Sequence, residues 1–137
     1  IMSEADSHSL APLVSSPFAE FIGIRVLAAE AGNATCQITL ADHHLNNGGR
    51  VHGGVLTALA DTTAGLAVRT LRPEGKQSAT TDLSIAFIRP PLGPNITAEA
   101  TVIHAGRRLF RVEISLTSAD KLVARTTATF MLTTPTA

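Results

Sequence analysis

The 137-residue sequence contains no tryptophan, no tyrosine and a single cysteine, and only 16% of its residues are charged. Basic and acidic residues number 11 each, so the chain has no net charge to favour binding to nucleic acid or to an anionic membrane. Cys36 cannot form an internal disulfide, which fits a reducing cytoplasm. No apolar run reaches the length of a membrane span, and residues 1–6 lack the apolar region of a signal peptide. We therefore expect a cytoplasmic protein.

The apolar content is high for a small domain. Hydrophobic residues make up 45% of the chain, and the mean hydropathy is +0.23. A chain of this length forms one domain, residues 1–137, with residues 1–14 as a loosely ordered lead-in. Surplus apolar surface on such a domain is usually covered by another copy, so we expect a homo-oligomer.

Hydrophobic periodicity predicts one long helix among several strands. Ser16 and Pro17 are typical of the start of a short first helix. From Gly53 to Leu71 apolar or small residues occupy nearly every face, which predicts a buried helix. Alternating residues predict strands at 22–30, 34–40, 83–87, 96–102, 110–116 and 122–133. Short turns join the last four strands, so we expect an antiparallel meander and an α+β fold, a sheet curled around one central helix.

A polar, glycine-dense loop leads into that long helix. His52, Gly53 and Gly54 stand where backbone N–H groups have no partner inside the helix, and such an end attracts an anion or a developing oxyanion. Two turns later comes Asp61, which with Arg69 is one of only two charges on the helix. A polarising helix end and a lone acid are two requirements of acyl transfer to water.

Each of these residues also has a structural interpretation. Asp61 could lie on a solvated stripe balanced by Arg69, although its neighbours Thr57, Ala58, Ala64 and Gly65 are small. His52 could bond the turn, Asn46 could form an Asx turn, and the glycines could serve the turn alone. Thr80 could simply favour a strand. Residue types alone leave these alternatives open.

The string Asn46-x-x-Gly49-x-x-His52-Gly53-Gly54 followed by Asp61 resembles the signature of hotdog-fold acyl-CoA thioesterases. The resemblance is closest to the phenylacetate-pathway (PaaI-like) branch. It continues through Thr80-Thr81-Asp82-Leu83, Phe87-Ile88-Arg89-Pro90 and His104-Ala105-Gly106-Arg107-Arg108, and so covers most of the chain beyond residue 20. It implies a hotdog fold and hydrolysis of an aromatic or short-to-medium acyl-CoA to the free acid and CoA.

The resemblance also implies roles for individual residues. Backbone N–H of Gly53 or Gly54 would polarise the thioester carbonyl, and Asp61 from the facing subunit would act as general base or as nucleophile. The resemblance assigns Asn46 and His52 to positioning the thioester or the water, and Thr80 to a hydrogen bond with the attacking water. It implies homodimers with composite sites, and pairing of dimers into homotetramers.

Other groups receive weaker assignments. Arg89, Arg107 and Arg108 are either solvated charges or ligands of the CoA phosphates. His43, His44 and His52 lack the partners of a credible metal set, so we expect no metal and no cofactor beyond CoA itself, which is part of the substrate. We expect Cys36 in the core and, with so few aromatics, a pocket of aliphatic and small side chains.

Two other functions are compatible with this fold. A hotdog hydratase or dehydratase would need a histidine paired with an acid, and residues 62–66 after Asp61 offer none. A non-catalytic acyl-CoA-binding protein would not need the combined set of acid, glycines and asparagine. We therefore expect a thioesterase.

Overall fold

A six-stranded antiparallel sheet and one long helix dominate the computed structural model, which describes residues 16–135. The predicted lead-in, residues 1–14, lies outside the described part. In chain order the elements are helix α1 (Pro17–Ile22), strands β1 (Arg25–Glu30) and β2 (Asn33–Thr39), a 3₁₀ turn (Asp42–His44), helix α2 (Gly53–Arg69), and strands β3 (Gln77–Phe87), β4 (Asn95–Ala105), β5 (Leu109–Ser118) and β6 (Lys121–Thr133).

Helix α1 begins as the sequence predicts. The Ser16 hydroxyl accepts a hydrogen bond from Ala19 N–H, and Pro17 occupies the first turn. The prediction of a strand from residue 22 is wrong, because Ile22 is the last residue of this helix. Gly23 then adopts a left-handed conformation with φ of 78° and caps the helix. Strand β1 begins only at Arg25.

Helix α2 lies against the inner face of the sheet and has contacts with all strands. Its buried residues are Leu56, Leu59, Ala60, Thr63, Ala64, Leu66, Ala67 and Val68. The helix ends at Arg69, slightly before the predicted Leu71. The predicted burial is confirmed for this face, whereas the face that carries Thr57, Ala58 and Asp61 is only half-buried.

The strand order is β1-β2-β4-β5-β6-β3, with every pair antiparallel. Strands β4, β5 and β6 form the expected meander, but the prediction is wrong for β3, which pairs with β6 instead of β4. Alternating apolar residues determine which face a strand buries and carry no information about its neighbour. Consequently β1 and β3 are the two edges of the sheet.

The predicted alternation places the core correctly on β2, β4, β5 and β6. Ile38, Ile96, Ile114 and Leu116 are fully buried, together with Cys36. Cys36 is buried, which confirms its prediction as a core residue, and this burial raises the pKa of its thiol. Within residues 16–135, no helix combines the length and apolarity required to cross a membrane.

Candidate active site

Asn46 shapes the loop that precedes α2. Its side-chain oxygen accepts hydrogen bonds from Gly48 N–H at 2.9 Å and Arg50 N–H at 3.2 Å. The Asx-turn interpretation is thus correct for the oxygen. Over the described residues the amide nitrogen of Asn46 has no acceptor, and the residue lines a cleft beside α2. The same side chain can therefore hold the loop with its oxygen and offer a donor with its nitrogen.

His52 caps the N-terminus of α2. Its Nδ1 accepts a hydrogen bond from Gly54 N–H at 2.8 Å. A neutral imidazole that accepts at Nδ1 carries its proton on Nε2, so the exposed edge of the ring presents a donor. The cap also determines which backbone N–H groups at the helix start remain available to a ligand. Gly54 N–H is occupied, whereas nothing among residues 16–135 accepts from Gly53 N–H.

Gly53 lies in close contact with an aromatic ring. A Cβ at this position would stand 3.1 Å from Cζ of Phe87, which is closer than nearly all real Cβ contacts. Glycine therefore allows the ring of Phe87 to approach the helix start. Gly53 lines a cleft of about 350 Å³ together with Asn46, Phe87, Arg50, Val51, Leu56, Ile88, Arg89, Pro90 and Pro91.

Asp61 lies in a second cleft, further along α2. The Thr80 hydroxyl of β3 donates a hydrogen bond to Asp61 Oδ1 at 2.7 Å. This bond leaves Oδ2 available to a ligand or a water molecule, since a carboxylate has several acceptor positions. The cleft has a volume of about 450 Å³, and its other lining residues are Gly54, Thr57, Ala58 and Leu83.

The structure brings Asp61 and Thr80 together in one cleft, whereas Asn46 and Gly53 line the other. His52 caps the helix next to Gly53 and lines neither cleft. Eight residues separate Gly53 from Asp61 on the same helix, a rise of about 12 Å at about 1.5 Å per residue. One small reacting group cannot contact both ends of that distance in a single chain.

The three candidate arginines are separated in space. Arg89 follows β3 and lines the cleft at Gly53. Arg107 and Arg108 are exposed in the turn between β4 and β5 and line neither cleft. Arg50, which the sequence did not single out, lines the same cleft as Arg89.

The histidines near the site have separate functions. His44 is buried, and both of its ring nitrogens bond backbone groups, while exposed His43 lies against Phe21. The part of the chain that the structure describes contains no group of three or more side chains suited to a metal ion.

Sequence reasoning missed Phe87 as a site residue. It is the last residue of a predicted alternating strand, yet 55% of its surface is exposed and its ring covers Gly53. The aromatic ring of Phe87 also means that the cleft at Gly53 lacks the expected lining of aliphatic and small side chains. The cleft at Asp61 does have such a lining. A signal was available, because two glycines at a helix start indicate that something approaches closely.

The comparison with known protein families, together with the fold, defines the class of protein. A family model described as the thioesterase superfamily matches residues 48–124, more than half of the chain. The chain therefore belongs to the thioesterase superfamily, and the structure has the hotdog architecture expected from its sequence.

Individual relatives agree with this assignment. Acyl-coenzyme A thioesterase PaaI of Escherichia coli is 31% identical over 70% of this chain and 69% of its own length. A thioesterase structure from Haemophilus influenzae has a TM-score of 0.85 and 26% identity, covering 98% of this chain and 92% of that one. A structure of a variant of the phenylacetic acid degradation protein PaaI from Thermus thermophilus has a TM-score of 0.78 and 32% identity. The match covers 85% of this chain and 98% of that one.

Proposed function

We propose that this protein is an acyl-CoA thioesterase that hydrolyses the thioester of its substrate to a free acid and CoA. The observation that carries the proposal is Asp61, held by the Thr80 hydroxyl in a cleft beside a buried helix whose N-terminus presents a free donor at Gly53. Membership of the thioesterase superfamily and its likeness to acyl-CoA thioesterases support the same reaction. The proposed reaction uses no cofactor, because CoA is part of the substrate.

The N-terminus of α2 polarises the carbonyl. Gly53 N–H donates to the thioester oxygen, and the helix dipole favours the negative charge that develops there. The Asn46 amide nitrogen is a further donor at the same cleft, and His52 Nε2–H is a donor at the exposed start of the helix. Gly54 contributes indirectly, because its N–H is bound by the His52 ring.

Asp61 provides the second half of the chemistry. As general base, it takes a proton from water at Oδ2 while the water oxygen bonds to the carbonyl carbon. As nucleophile, it attacks that carbon itself and forms an anhydride that water then opens. In both routes the C–S bond breaks and CoA leaves as its thiol after taking up a proton. Thr80 orients the carboxylate through Oδ1.

We propose that a second copy completes the site. Within one chain Asp61 lies about 12 Å along the helix from Gly53, so each reacting carbonyl requires Gly53 of one copy and Asp61 of the other. Strand β3, which carries Thr80, lies at an edge of the sheet. Its exposed edge is suited to pair with a strand of the second copy. We further propose that two such dimers form a homotetramer.

The clefts also limit the substrate. The aliphatic and small lining around Asp61 accommodates an aromatic or a short-to-medium acyl group. Arg89 and Arg50 lie at the cleft that holds Gly53 and are suited to the CoA phosphates, with Arg107 and Arg108 as ligands further out. The free thiol of Cys36 supports a reducing compartment, the cytoplasm, as the place of action.

Replacing Asp61 tests the reaction. Asp61→Asn preserves size and removes the carboxylate, so we expect kcat for thiol release from aromatic and aliphatic acyl-CoAs to fall by about 10²- to 10⁴-fold. The matched control is Asp120→Asn, in the exposed β5–β6 turn, where asparagine tolerates the φ of 62°. Undiminished hydrolysis by Asp61→Asn would refute the assignment. A wild-type protein inactive on the whole panel would refute the function.

Subunit mixing tests the composite site. A subunit carrying Asp61→Ala and a subunit blocked at the helix start by Gly53→Val are each expected to be inactive alone. A mixed dimer contains one site with both functional halves, so activity should return on co-expression. A wild-type monomer with full activity at assay concentration would contradict this arrangement.

A further inference from the structure

The loop from Ala41 to Val51 has one buried side chain, that of His44. Its exposed fraction is 2%, whereas Leu45, the adjacent apolar residue, is 38% exposed. Such a loop has little hydrophobic contact to hold it in place, so specific hydrogen bonds must determine its position. The His44 ring is therefore the one buried side-chain attachment of this loop to the rest of the fold, next to the exposed His43, whose Nε2 lies 3.2 Å from the Phe21 oxygen.

Both ring nitrogens of His44 have backbone partners. Ala41 N–H donates to Nδ1 at 3.0 Å, and Nε2 lies 2.8 Å from the carbonyl oxygen of Ile22. A backbone N–H can only donate, so Nδ1 is the acceptor and Nε2 carries the proton that it donates to Ile22. The ring thereby connects the C-terminal residue of α1 to the 3₁₀ turn.

The backbone of His44 continues this connection towards the site. Its carbonyl oxygen accepts from His52 N–H at 2.8 Å, and the next residues pair as an isolated antiparallel bridge, Leu45 with Val51. His52 in turn binds Gly54 N–H through its ring. The position of the free Gly53 N–H thus depends on the position of the His44 ring.

We propose that His44 is a positioning residue for thioester hydrolysis, which fixes the N-terminal donors of α2 without touching the substrate. This inference rests on the proposed function. Its physical basis is that an oxyanion donor works only when preorganised, and a displacement of about 1 Å can cost on the order of 100-fold in rate.

Three substitutions at one position separate the contributions of the ring. His44→Phe keeps the ring and removes both hydrogen bonds. His44→Asn keeps an acceptor for Ala41 N–H, and His44→Gln keeps an amide donor that reaches towards Ile22. His43→Phe is the matched control, since His43 is the exposed neighbour in the same turn.

We expect His44→Phe to lower kcat by about 10- to 100-fold with little change in KM. His44→Asn and His44→Gln should recover part of the loss, and His43→Phe should behave as wild type. Equal kcat for all three His44 variants, once corrected for the folded fraction measured by circular dichroism, would overturn the proposal. If His44→Phe does not fold, a wild-type kcat in both His44→Asn and His44→Gln would overturn the proposal, because each variant loses one of the two bonds.

A second measurement does not depend on turnover. Amide signals of Gly53 and Gly54 in ¹⁵N NMR spectra should shift, and their hydrogen exchange should accelerate, in the His44 variants relative to His43→Phe. Unchanged signals would overturn the positioning function even in an active enzyme. A wild type with no thioesterase activity would instead refute the proposed function, and the glycine signals would still report on positioning.

Discussion

The two halves of α2 perform different tasks. In the C-terminal half, Thr63, Ala64, Leu66, Ala67 and Val68 are buried against the sheet. In the N-terminal half, residues 53–61, Leu56, Leu59 and Ala60 are also buried, but the face that carries Thr57 and Asp61 is half-buried, and two clefts open beside it. The helix therefore packs against the core along its length, most densely in the C-terminal half, and the two clefts open only beside the N-terminal half, as expected where a site is built on a rigid element.

The hydrogen bonds that cap the two ends of α2 also differ. At the N-terminus the His52 ring binds Gly54 N–H and leaves Gly53 N–H free. At the C-terminus the Thr70 hydroxyl is both acceptor and donor. It accepts a hydrogen bond from Gly32 N–H at 2.8 Å and donates one to the Ala67 carbonyl oxygen at 2.7 Å. The core end thus satisfies its polar groups internally, whereas the site end keeps a donor for a ligand.

The largest effect should come from truncating the core half. Leu66→Ala leaves a cavity between α2 and the sheet, and we expect it to lower the free energy of unfolding by about 2–5 kcal/mol. Thr57→Ala in the half-buried cleft loses only the hydroxyl bond to Gly53 oxygen, which is worth about 1 kcal/mol. Urea unfolding of both variants checks this. Similar losses would show that the two halves stabilise the fold equally.

Two glycine substitutions sharpen the comparison within one helix. The Cβ of Gly54→Ala would stand 2.8 Å from Nδ1 of His52 and displace the capping ring, so we expect kcat to fall by about 10-fold or more. Gly65→Ala is the control, because its Cβ would meet Phe130 at an ordinary 3.5 Å. Its helix propensity should raise stability by up to about 1 kcal/mol with kcat unchanged. Thioesterase assays give kcat and thermal melts give the stability of the two variants. A Gly54→Ala variant with wild-type kcat would contradict the importance of the His52 cap.

Two buried threonines offer a smaller test of the core. Thr126 on β6 is 1% exposed, and its hydroxyl has no partner among the described residues, whereas the hydroxyl of Thr63 on α2 donates to Leu59 oxygen at 2.7 Å. We expect Thr126→Val to raise the free energy of unfolding by about 1 kcal/mol and Thr63→Val to lower it by a similar amount. Destabilisation by Thr126→Val would show that its hydroxyl is bonded.

The smallest effect concerns pH. Burial raises the pKa of the Cys36 thiol in the folded protein, so the contribution of this group is fully present below the unfolded pKa and is lost as pH rises towards the folded pKa. With no tyrosine and two lysines in the chain, few other groups titrate there. We expect the free energy of unfolding to decline from about pH 8.5 upwards, and the decline to be weaker in Cys36→Ala. An identical pH dependence in both proteins would contradict this.

Much of the architecture was predictable from local patterns. Ser16 and Pro17 predicted the start of α1, and the alternating residues of β2, β4, β5 and β6 predicted the buried face of the sheet. The prediction of a strand from Ile22 was wrong because Gly23 was not interpreted as a helix cap. For the site, the pairing of Asp61 with Thr80 had no local signal, since 19 residues separate them.

The sequence by itself determined the helix, the strand faces, and the resemblance of the loop and the acid to the thioesterase signature, because periodicity and motif spacing act over a few residues. Tertiary structure decided which strand lies at the edge, which glycine N–H stays free, and that Phe87 covers Gly53. It also assigned His44 to the core of an otherwise exposed loop. Those outcomes depend on contacts between segments far apart in the chain, where hydrogen bonds and packing are chosen only when the whole fold has formed.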